Sequence, residues 1–136
     1  MRSEMAHETT IDVRFAELDP YGHVNHAVYV TYFEVARTEA LSFCDVPIEV
    51  MADRGYQLVV TKLDVRFRAP ATAGDRLVVD TAIGELRRAS GIWQQRIRRG
   101  DEVLVTAEVT AGVTDTAGRP TRPPDWLFPA LKPLLD

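Results

Sequence analysis

The segment from His26 to Phe43, HAVYVTYFEVARTEALSF, constrains the fold more than any other part of this sequence. Its first half is rich in β-branched and aromatic residues, which favour strands. However, apolar or small residues recur at positions 24, 28, 32, 36 and 40, with a second row at 29 and 33. This helical spacing, followed by the good helix formers EVARTEAL, predicts one long helix from Asn25 to about Cys44, with Asn25 as its N-cap. The apolar residues extend well beyond one stripe, so other parts of the chain must wrap most of the helix.

The segments that could wrap this helix alternate in hydrophobicity, as strands do. Thr9 to Ala16 places Ile11, Val13 and Phe15 on one face. Further strands are predicted over Gln57 to Ala69, Arg76 to Leu86, Ser90 to Arg99 and Glu102 to Thr114. Their connections are too short for crossover helices, so the sheet should be mainly antiparallel. The order predicts an α+β protein in which a curved antiparallel sheet of about five strands wraps one long central helix, the hotdog fold.

The composition limits the number of domains and the kinds of partner. With 136 residues, 46% of them hydrophobic, we predict a single domain over 1–136, with a core of about 9–115 and a proline-rich tail over 118–136. A net charge of −4 without a basic tail argues against nucleic acid as a partner. The polar N-terminus lacks the apolar core of a signal peptide, and no apolar run could cross a bilayer, so we expect a cytoplasmic protein without membrane contact. The single cysteine, Cys44, excludes an internal disulfide.

Asp19 lies between the first strand and the central helix, in the turn sequence Asp-Pro-Tyr-Gly. The commonest role of such a carboxylate is to accept N–H bonds from its own turn. A chemical role is the alternative, because the first amides of a helix have no intrahelical acceptors and attract an anion or a developing oxyanion. A carboxylate beside such an end is the minimum equipment for acyl transfer. A thioester would need little more, since its thiolate is a good leaving group.

The stretch DPYGHVNHAVYVTYFEVART and the later VRFRAPATAGDRLVV resemble the 4-hydroxybenzoyl-CoA thioesterase-like branch of the hotdog superfamily. The resemblance covers roughly residues 9–115. It implies hydrolysis of an acyl-CoA or aroyl-CoA thioester to the free acid and CoA, with no cofactor because CoA is part of the substrate. It also implies a homo-oligomer, a dimer or a homotetramer, in which two hotdogs pair their sheets and the active sites lie at the subunit interface.

The resemblance implies particular roles for residues near the helix start. Asp19 matches the catalytic carboxylate, acting as nucleophile or general base. The backbone N–H of His26 matches the group that polarises the thioester carbonyl, and its side chain matches a histidine implicated in one subfamily. Tyr29 matches a tyrosine near the same pocket. Phe15 stands where some relatives have a tyrosine, which removes one hydroxyl.

Several residues keep two interpretations. His23, Asn25 and Tyr29 are candidates for substrate binding, although Asn25 is equally well explained as the N-cap and Tyr29 as core. His23 replaces an apolar residue of the 4-hydroxybenzoyl enzymes. This departure bears on the choice of an aromatic substrate and not on the reaction class. Asp19, His23 and His26 are suitable metal ligands by type, but no third histidine at ligand spacing accompanies them, and we expect no metal.

The basic residues are candidates for the phosphates of CoA, although most such residues are solvated sheet edges. Relatives have basic residues near Arg87, Arg88 and Ser90, which we rank first, ahead of Arg66 and Arg68.

Glu34 and Arg37 are expected to form structural or intersubunit ion pairs, with Glu34 as a minor catalytic candidate.

Two other functions stay open. A hotdog hydratase or dehydratase lacks support because its H-F-P pattern followed by P-G is missing. A non-catalytic acyl-CoA-binding protein would typically lack the carboxylate.

Overall fold

A computed structural model describes residues 7–136. The elements in chain order are β1 (His7–Asp12), a 3-10 turn (Phe15–Glu17), α1 (His26–Phe43), α2 (Ile48–Asp53), β2 (Tyr56–Phe67), β3 (Arg76–Leu86), β4 (Ser90–Arg99), β5 (Glu102–Asp115), α3 (Leu127–Ala130) and a second 3-10 turn (Lys132–Leu134). In this part of the chain no helix has the length and hydropathy of a membrane span. Residues 1–6, which belong to the predicted polar N-terminus, lie outside the described residues.

The strands form one five-stranded sheet in the order β1-β3-β4-β5-β2, and every neighbouring pair is antiparallel. Helix α1 packs on one face of this sheet, where Phe33 and the alternating Leu77, Val79, Ile97 and Val105 are fully buried. This arrangement confirms the predicted α+β architecture of an antiparallel sheet around one long helix. The short connections fix the order of β3, β4 and β5, because consecutive antiparallel strands joined by tight turns lie side by side.

Helix α1 begins and ends where the spacing predicted. The Asn25 side chain caps it by accepting the Ala27 N–H, and Cys44 is the C-cap. The buried residues are Tyr29, Tyr32, Phe33, Ala36, Ala40 and Leu41. The opposite face stays uncovered within one chain, with Val35 45% exposed and Phe43 57% exposed. The expectation that the rest of the chain covers most of the helix is therefore wrong for a single chain, because one sheet can cover only one side.

The first strand ends earlier than predicted, at Asp12, and the chain turns away before Phe15. The Val13 N–H donates to the Asp75 carbonyl oxygen at 2.9 Å, and the chain then enters the 3-10 turn. Phe15 begins that turn and is 87% exposed, so the prediction that it faces the core is wrong. Alternation of residue types did not reveal the 3-10 turn, which interrupts the strand spacing before Phe15.

The proline-rich tail packs onto the same core as the sheet. Helix α3 lies within this tail, and Leu127 and Leu134 are completely buried in the central cluster. Helix α2, which follows Pro47, was not predicted.

Strand β2 is an edge of the sheet and is unusually exposed for its composition. It pairs with β5 along one side only within the described residues. Its apolar side chains Val60, Leu63 and Phe67 are 46%, 41% and 53% exposed. A long edge strand with exposed apolar side chains is a surface on which another strand can pair.

Candidate active site

The Asp19 carboxylate is held by its own turn through one oxygen. Its Oδ1 accepts the N–H of Tyr21 at 2.8 Å and of His23 at 3.1 Å. The Asp19 N–H donates to the His23 carbonyl at 2.7 Å, and Gly22 adopts a φ of 80°, which favours glycine. Within residues 7–136 the other oxygen, Oδ2, accepts no hydrogen bond. The turn role weighed for Asp19 is therefore present, and it leaves one carboxylate oxygen uncommitted.

The first residue of α1 offers a backbone donor near this carboxylate. Asn25 accepts the N–H groups of Ala27 and Val28. Its side-chain oxygen accepts the Ala27 N–H and its carbonyl accepts the Val28 N–H, both at 2.9 Å. The His26 N–H has no acceptor in the described part of the chain. Asn25 is thus confirmed as the N-cap, and its side-chain oxygen is already used there.

Asp19 and His26 line one cleft of about 330 Å³. The full lining consists of Asp19, His23, Val24, His26, Tyr29, Phe67, Arg68, Ala69 and Pro70. The walls are mainly apolar, and the charged groups are one carboxylate and one guanidinium, that of Arg68. A cleft of this kind can hold an apolar acyl group while presenting a carboxylate oxygen and a helix-end N–H to its polar end.

Tyr29 joins the helix to the opposite wall of the cleft. Its hydroxyl accepts the Ala71 N–H at 2.9 Å, and its ring lies edge-on to Phe67 with centroids 5.7 Å apart. Tyr29 is only 3% exposed. The core role weighed for Tyr29 is therefore present, although its ring also lines the cleft.

Backbone pairing ties the Asp19 turn to this wall. The Val24 N–H donates to the Ala71 carbonyl at 2.9 Å, and His23 forms a bridge with Thr72. Asp75 fixes Thr72 in turn, accepting its N–H at 2.8 Å and an Arg99 N–H at 2.6 Å. Burial alone would raise the pKa of Asp75, but these hydrogen bonds hold that pKa below its ordinary value. The Thr72–Asp75 turn is therefore a rigid support for the cleft.

The candidates for CoA binding fall in different places. Arg68 lines the cleft, whereas Arg66 points to the outer face of the sheet, 3.6 Å from Asp64. Arg87, Arg88 and Ser90 lie in and beside the β3–β4 turn. Ser90 is seven residues along β4 from Ile97, which is level with Phe67 across the sheet, a distance of roughly 23 Å. A single chain does not bring this turn to the cleft.

Arg37 is bonded to the sheet. Its Nη1 donates to Gln95 Oε1 at 3.0 Å, and Gln95 Nε2 donates to the Phe33 carbonyl at 3.0 Å. Burial lowers the pKa of Arg37. Within residues 7–136 no ion pair joins Glu34 to Arg37, and Arg37 is bonded instead to a buried glutamine. The intersubunit ion pairs stay a prediction.

Sequence reasoning missed Glu17, Phe67 and Pro70. Phe67 and Pro70 line the cleft and lie within the stretch VRFRAPATAGD that carried the family resemblance, so that motif could have indicated them. Glu17 lies two residues before Asp19, and no local pattern indicates its contact with Tyr32.

The residues that could bind a metal ion in this cleft are Asp19, His23 and His26. Residues 7–136 contain no group of three or more histidine, cysteine, aspartate or glutamate side chains placed to hold one. Asp19, His23 and His26 share the cleft without forming such a group.

Comparison with known proteins gives consistent matches. The chain is 33% identical over 120 residues to the chloroplastic acyl-acyl carrier protein thioesterase ATL2 of Arabidopsis thaliana, a match that covers 87% of this chain but only 64% of that protein. It is 34% identical over 101 residues to the long-chain acyl-CoA thioesterase FadM of Escherichia coli, covering 74% of this chain and 76% of that protein.

A solved structure of a thioesterase from Thermus thermophilus, complexed with coenzyme A and zinc, has a TM-score of 0.84 at 26% identity, over 98% of this chain and 97% of that one. A protein-family model described as "Thioesterase-like superfamily" matches residues 13–131. From this match, which spans most of the chain, and from the sheet wrapped on α1, we conclude that the chain belongs to the thioesterase-like superfamily of hotdog proteins.

Proposed function

We propose that this protein is an acyl-CoA thioesterase, which hydrolyses an acyl-CoA or aroyl-CoA thioester to the free acid and CoA. The observation that carries the proposal is the meeting of a carboxylate oxygen and a helix-end N–H, neither hydrogen-bonded within residues 7–136, in one apolar cleft. The thioesterase activities for which FadM and ATL2 are named support the reaction class. Because the chain spans less than two thirds of ATL2, carrier-protein thioesters are a second substrate class to be tested.

The chemistry follows from the two oxygens of Asp19. Oδ1 is fixed by the Tyr21 and His23 amides, so Oδ2 is the oxygen free to react. It attacks the thioester carbon or removes a proton from a water that does so. The oxyanion that forms accepts the His26 N–H at the positive end of α1. Collapse of the tetrahedral species breaks the C–S bond, and the thiolate leaves without acid assistance. In the first route, water then cleaves the mixed anhydride.

We further propose that two chains pair through β2, in a dimer or a tetramer. An antiparallel β2–β2 pair about a two-fold axis would cover the exposed Val60, Leu63 and Phe67. It would also place the Leu58 end of one β2 beside the Phe67 end of the other. The β3–β4 turn of the partner would then approach the cleft, which a single chain does not allow. This arrangement would let Arg87, Arg88 and Ser90 act with Arg68 on the phosphates of CoA, with no further cofactor.

The test is thiol release from a panel of acyl-CoA and acyl-carrier-protein thioesters, measured with and without chelator. Asp19→Asn should lower kcat by about a hundredfold or more with little change in KM, because it removes a group used only in the transition state. Asp12→Asn is the matched control, since Asp12 is an exposed carboxylate in the same segment paired with Arg76. No thiol release from any thioester, with tight acyl-CoA binding, would favour the non-catalytic alternative. Consumption of an enoyl-CoA without thiol release would favour the hydratase.

Water labelled with ¹⁸O separates the two routes. In a single turnover by the nucleophilic route, water that attacks the aspartyl carbon of the mixed anhydride leaves the label in Asp19 and the former Asp19 oxygen in the acid. General-base catalysis puts the label in the acid and none in Asp19, so label in Asp19 identifies the nucleophilic route.

A further inference from the structure

The side chain of Glu17 connects the segment before Asp19 to the middle of α1. The Tyr32 hydroxyl donates to Glu17 Oε1 at 2.8 Å, and Tyr32 is 3% exposed. The Glu17 side chain is 12% exposed, and its Oε2 accepts an Arg14 Nη2–H at 2.8 Å from the solvent side. Such a bond between a nearly buried hydroxyl and an ionised carboxylate is a strong and directional contact.

The backbone of Glu17 makes a second attachment to the same helix. Its carbonyl accepts the Asn25 N–H at 2.9 Å. Glu17 is two residues before Asp19, and Asn25 immediately precedes His26. The two attachments therefore hold both reacting groups: one fixes the entry to the Asp19 turn, and the other fixes that entry to the start of α1.

The other anchors of the turn act on its far half. Val24 and His23 pair with Ala71 and Thr72 on the opposite wall. On the Asp19 side, Glu17 makes a side-chain bond and a backbone bond to α1, beside the Leu18–Val24 bridge and the packing of Leu18 against the core. Loss of the Tyr32 bond would therefore remove the side-chain attachment of the Asp19 side, which keeps its backbone bonds, while the His23 side stays in place.

We propose that Glu17 and Tyr32 are a positioning pair, which sets the separation between the Asp19 carboxylate and the His26 N–H. The inference rests on the function proposed above. Neither side chain lines the cleft or touches the reacting atoms. Catalysis depends on this separation because the attacking oxygen and the oxyanion donor must meet one carbonyl group, and a misplacement of about 1 Å can cost up to a hundredfold in rate.

The chain offers a matched control for the Tyr32 hydroxyl. The Thr9 hydroxyl donates to Glu39 Oε1 at 3.1 Å, and Thr9 is also 3% exposed. This bond too joins the N-terminal segment to α1 through a hydroxyl and a carboxylate. Glu39 lies 13 residues after His26, which is about 20 Å along the helix. Thr9→Val therefore removes a similar bond far from the cleft.

The experiment compares Tyr32→Phe, Glu17→Gln, the double variant, Thr9→Val and Arg14→Ala by thiol release from an acyl-CoA. Tyr32→Phe should lower kcat about tenfold while KM changes by less than about twofold. The double variant should lose no more than the worse single variant, because the two side chains act as one unit. Thr9→Val should keep kcat within about twofold, because its bond lies far from the cleft. Arg14→Ala removes only the exposed bond to Glu17 Oε2 and should cost less than Tyr32→Phe, because the Arg14 N–H and the Tyr32 hydroxyl still bond Glu17 Oε1. Equal kcat losses in Tyr32→Phe and Thr9→Val, or no loss in either, would overturn the inference.

Amide hydrogen exchange gives a readout that does not depend on turnover. Faster exchange over residues 17–25 in Tyr32→Phe, with unchanged exchange there in Thr9→Val, supports the positioning pair. Unchanged exchange over 17–25 in Tyr32→Phe overturns it. If the wild-type protein released no thiol, the proposed function would fail, and the exchange data would still decide whether the pair holds the turn.

Discussion

Tyr29→Phe is expected to destabilise the protein because it removes a buried hydrogen bond. The Tyr29 hydroxyl accepts the Ala71 N–H at 2.9 Å, where Tyr29 is 3% exposed and Ala71 is fully buried. Without the hydroxyl, the Ala71 N–H is left without an acceptor in a place that water cannot reach. The cost of a buried unsatisfied donor is about 1–3 kcal/mol. The free energy of unfolding should fall by that amount.

The assay is urea denaturation at one fixed protein concentration, because an oligomer makes apparent stability depend on concentration. Tyr56→Phe is the control: Tyr56 is half-buried against Trp126, and its hydroxyl makes no hydrogen bond within residues 7–136. Its change should stay within about 0.5 kcal/mol.

The same variant separates the two roles considered for Tyr29. If the hydroxyl served only to bind substrate, Tyr29→Phe would raise KM and leave the free energy of unfolding equal to that of Tyr56→Phe. Such a result would refute the reasoning from the Ala71 bond. If the hydroxyl instead supports the cleft wall at Ala71, the free energy of unfolding falls in Tyr29→Phe. Any rise in KM then follows from movement of residues 67–71.

Two further predictions concern acid stability and assembly. Burial alone would raise the pKa of Glu17, but hydrogen bonds from Arg14 and Tyr32 outweigh it and hold that pKa below its ordinary value. The ionised form of Glu17 therefore adds stability that is present above the ordinary carboxyl pKa, about 4.3, and is lost as the pH falls through the pKa of the folded protein. Glu17→Gln should reduce the dependence of the free energy of unfolding on pH on the acid side. An unchanged slope in pH-dependent urea unfolding would contradict this. Leu63→Lys should shift the protein toward monomers in sedimentation velocity, because it places charge on the exposed apolar edge of β2. Glu49→Lys on α2 should not, and equal behaviour of the two variants would remove β2 as the interface.

The sequence was sufficient for those parts of the fold that depend on local spacing. Helix α1 follows from the 3.6-residue recurrence and the Asn25 cap, and β3 to β5 follow from alternation and tight turns. The exposure of Phe15 did not follow, because the strand ends at Asp12 and Phe15 begins a 3-10 turn that alternation does not indicate. The position of β2 at the edge did not follow either, since strand order depends on pairing between segments far apart in sequence.

The candidate site was predictable only in part, for the same physical reason. Asp19 and His26 are close in sequence, so a motif could indicate both. The Glu17–Tyr32 bond joins residues 15 positions apart, and the sequence presents Tyr32 simply as one apolar residue of a helical row. The β3–β4 turn with Arg87 could be indicated by family resemblance, but its distance from the cleft within one chain emerges only from the sheet.

The two interpretations of Asp19 describe different atoms of the same carboxylate. Turn formation uses Oδ1, whose acceptor capacity is taken by the Tyr21 and His23 amides. That commitment fixes the plane of the carboxylate, so it also fixes where Oδ2 points. An aspartate held in this way has lost its rotational freedom before substrate arrives, and the free energy of ordering it does not enter the reaction barrier. The same turn bonds that would be expected of an ordinary structural aspartate are therefore what a nucleophile or general base needs, provided that one oxygen remains free and faces a cleft.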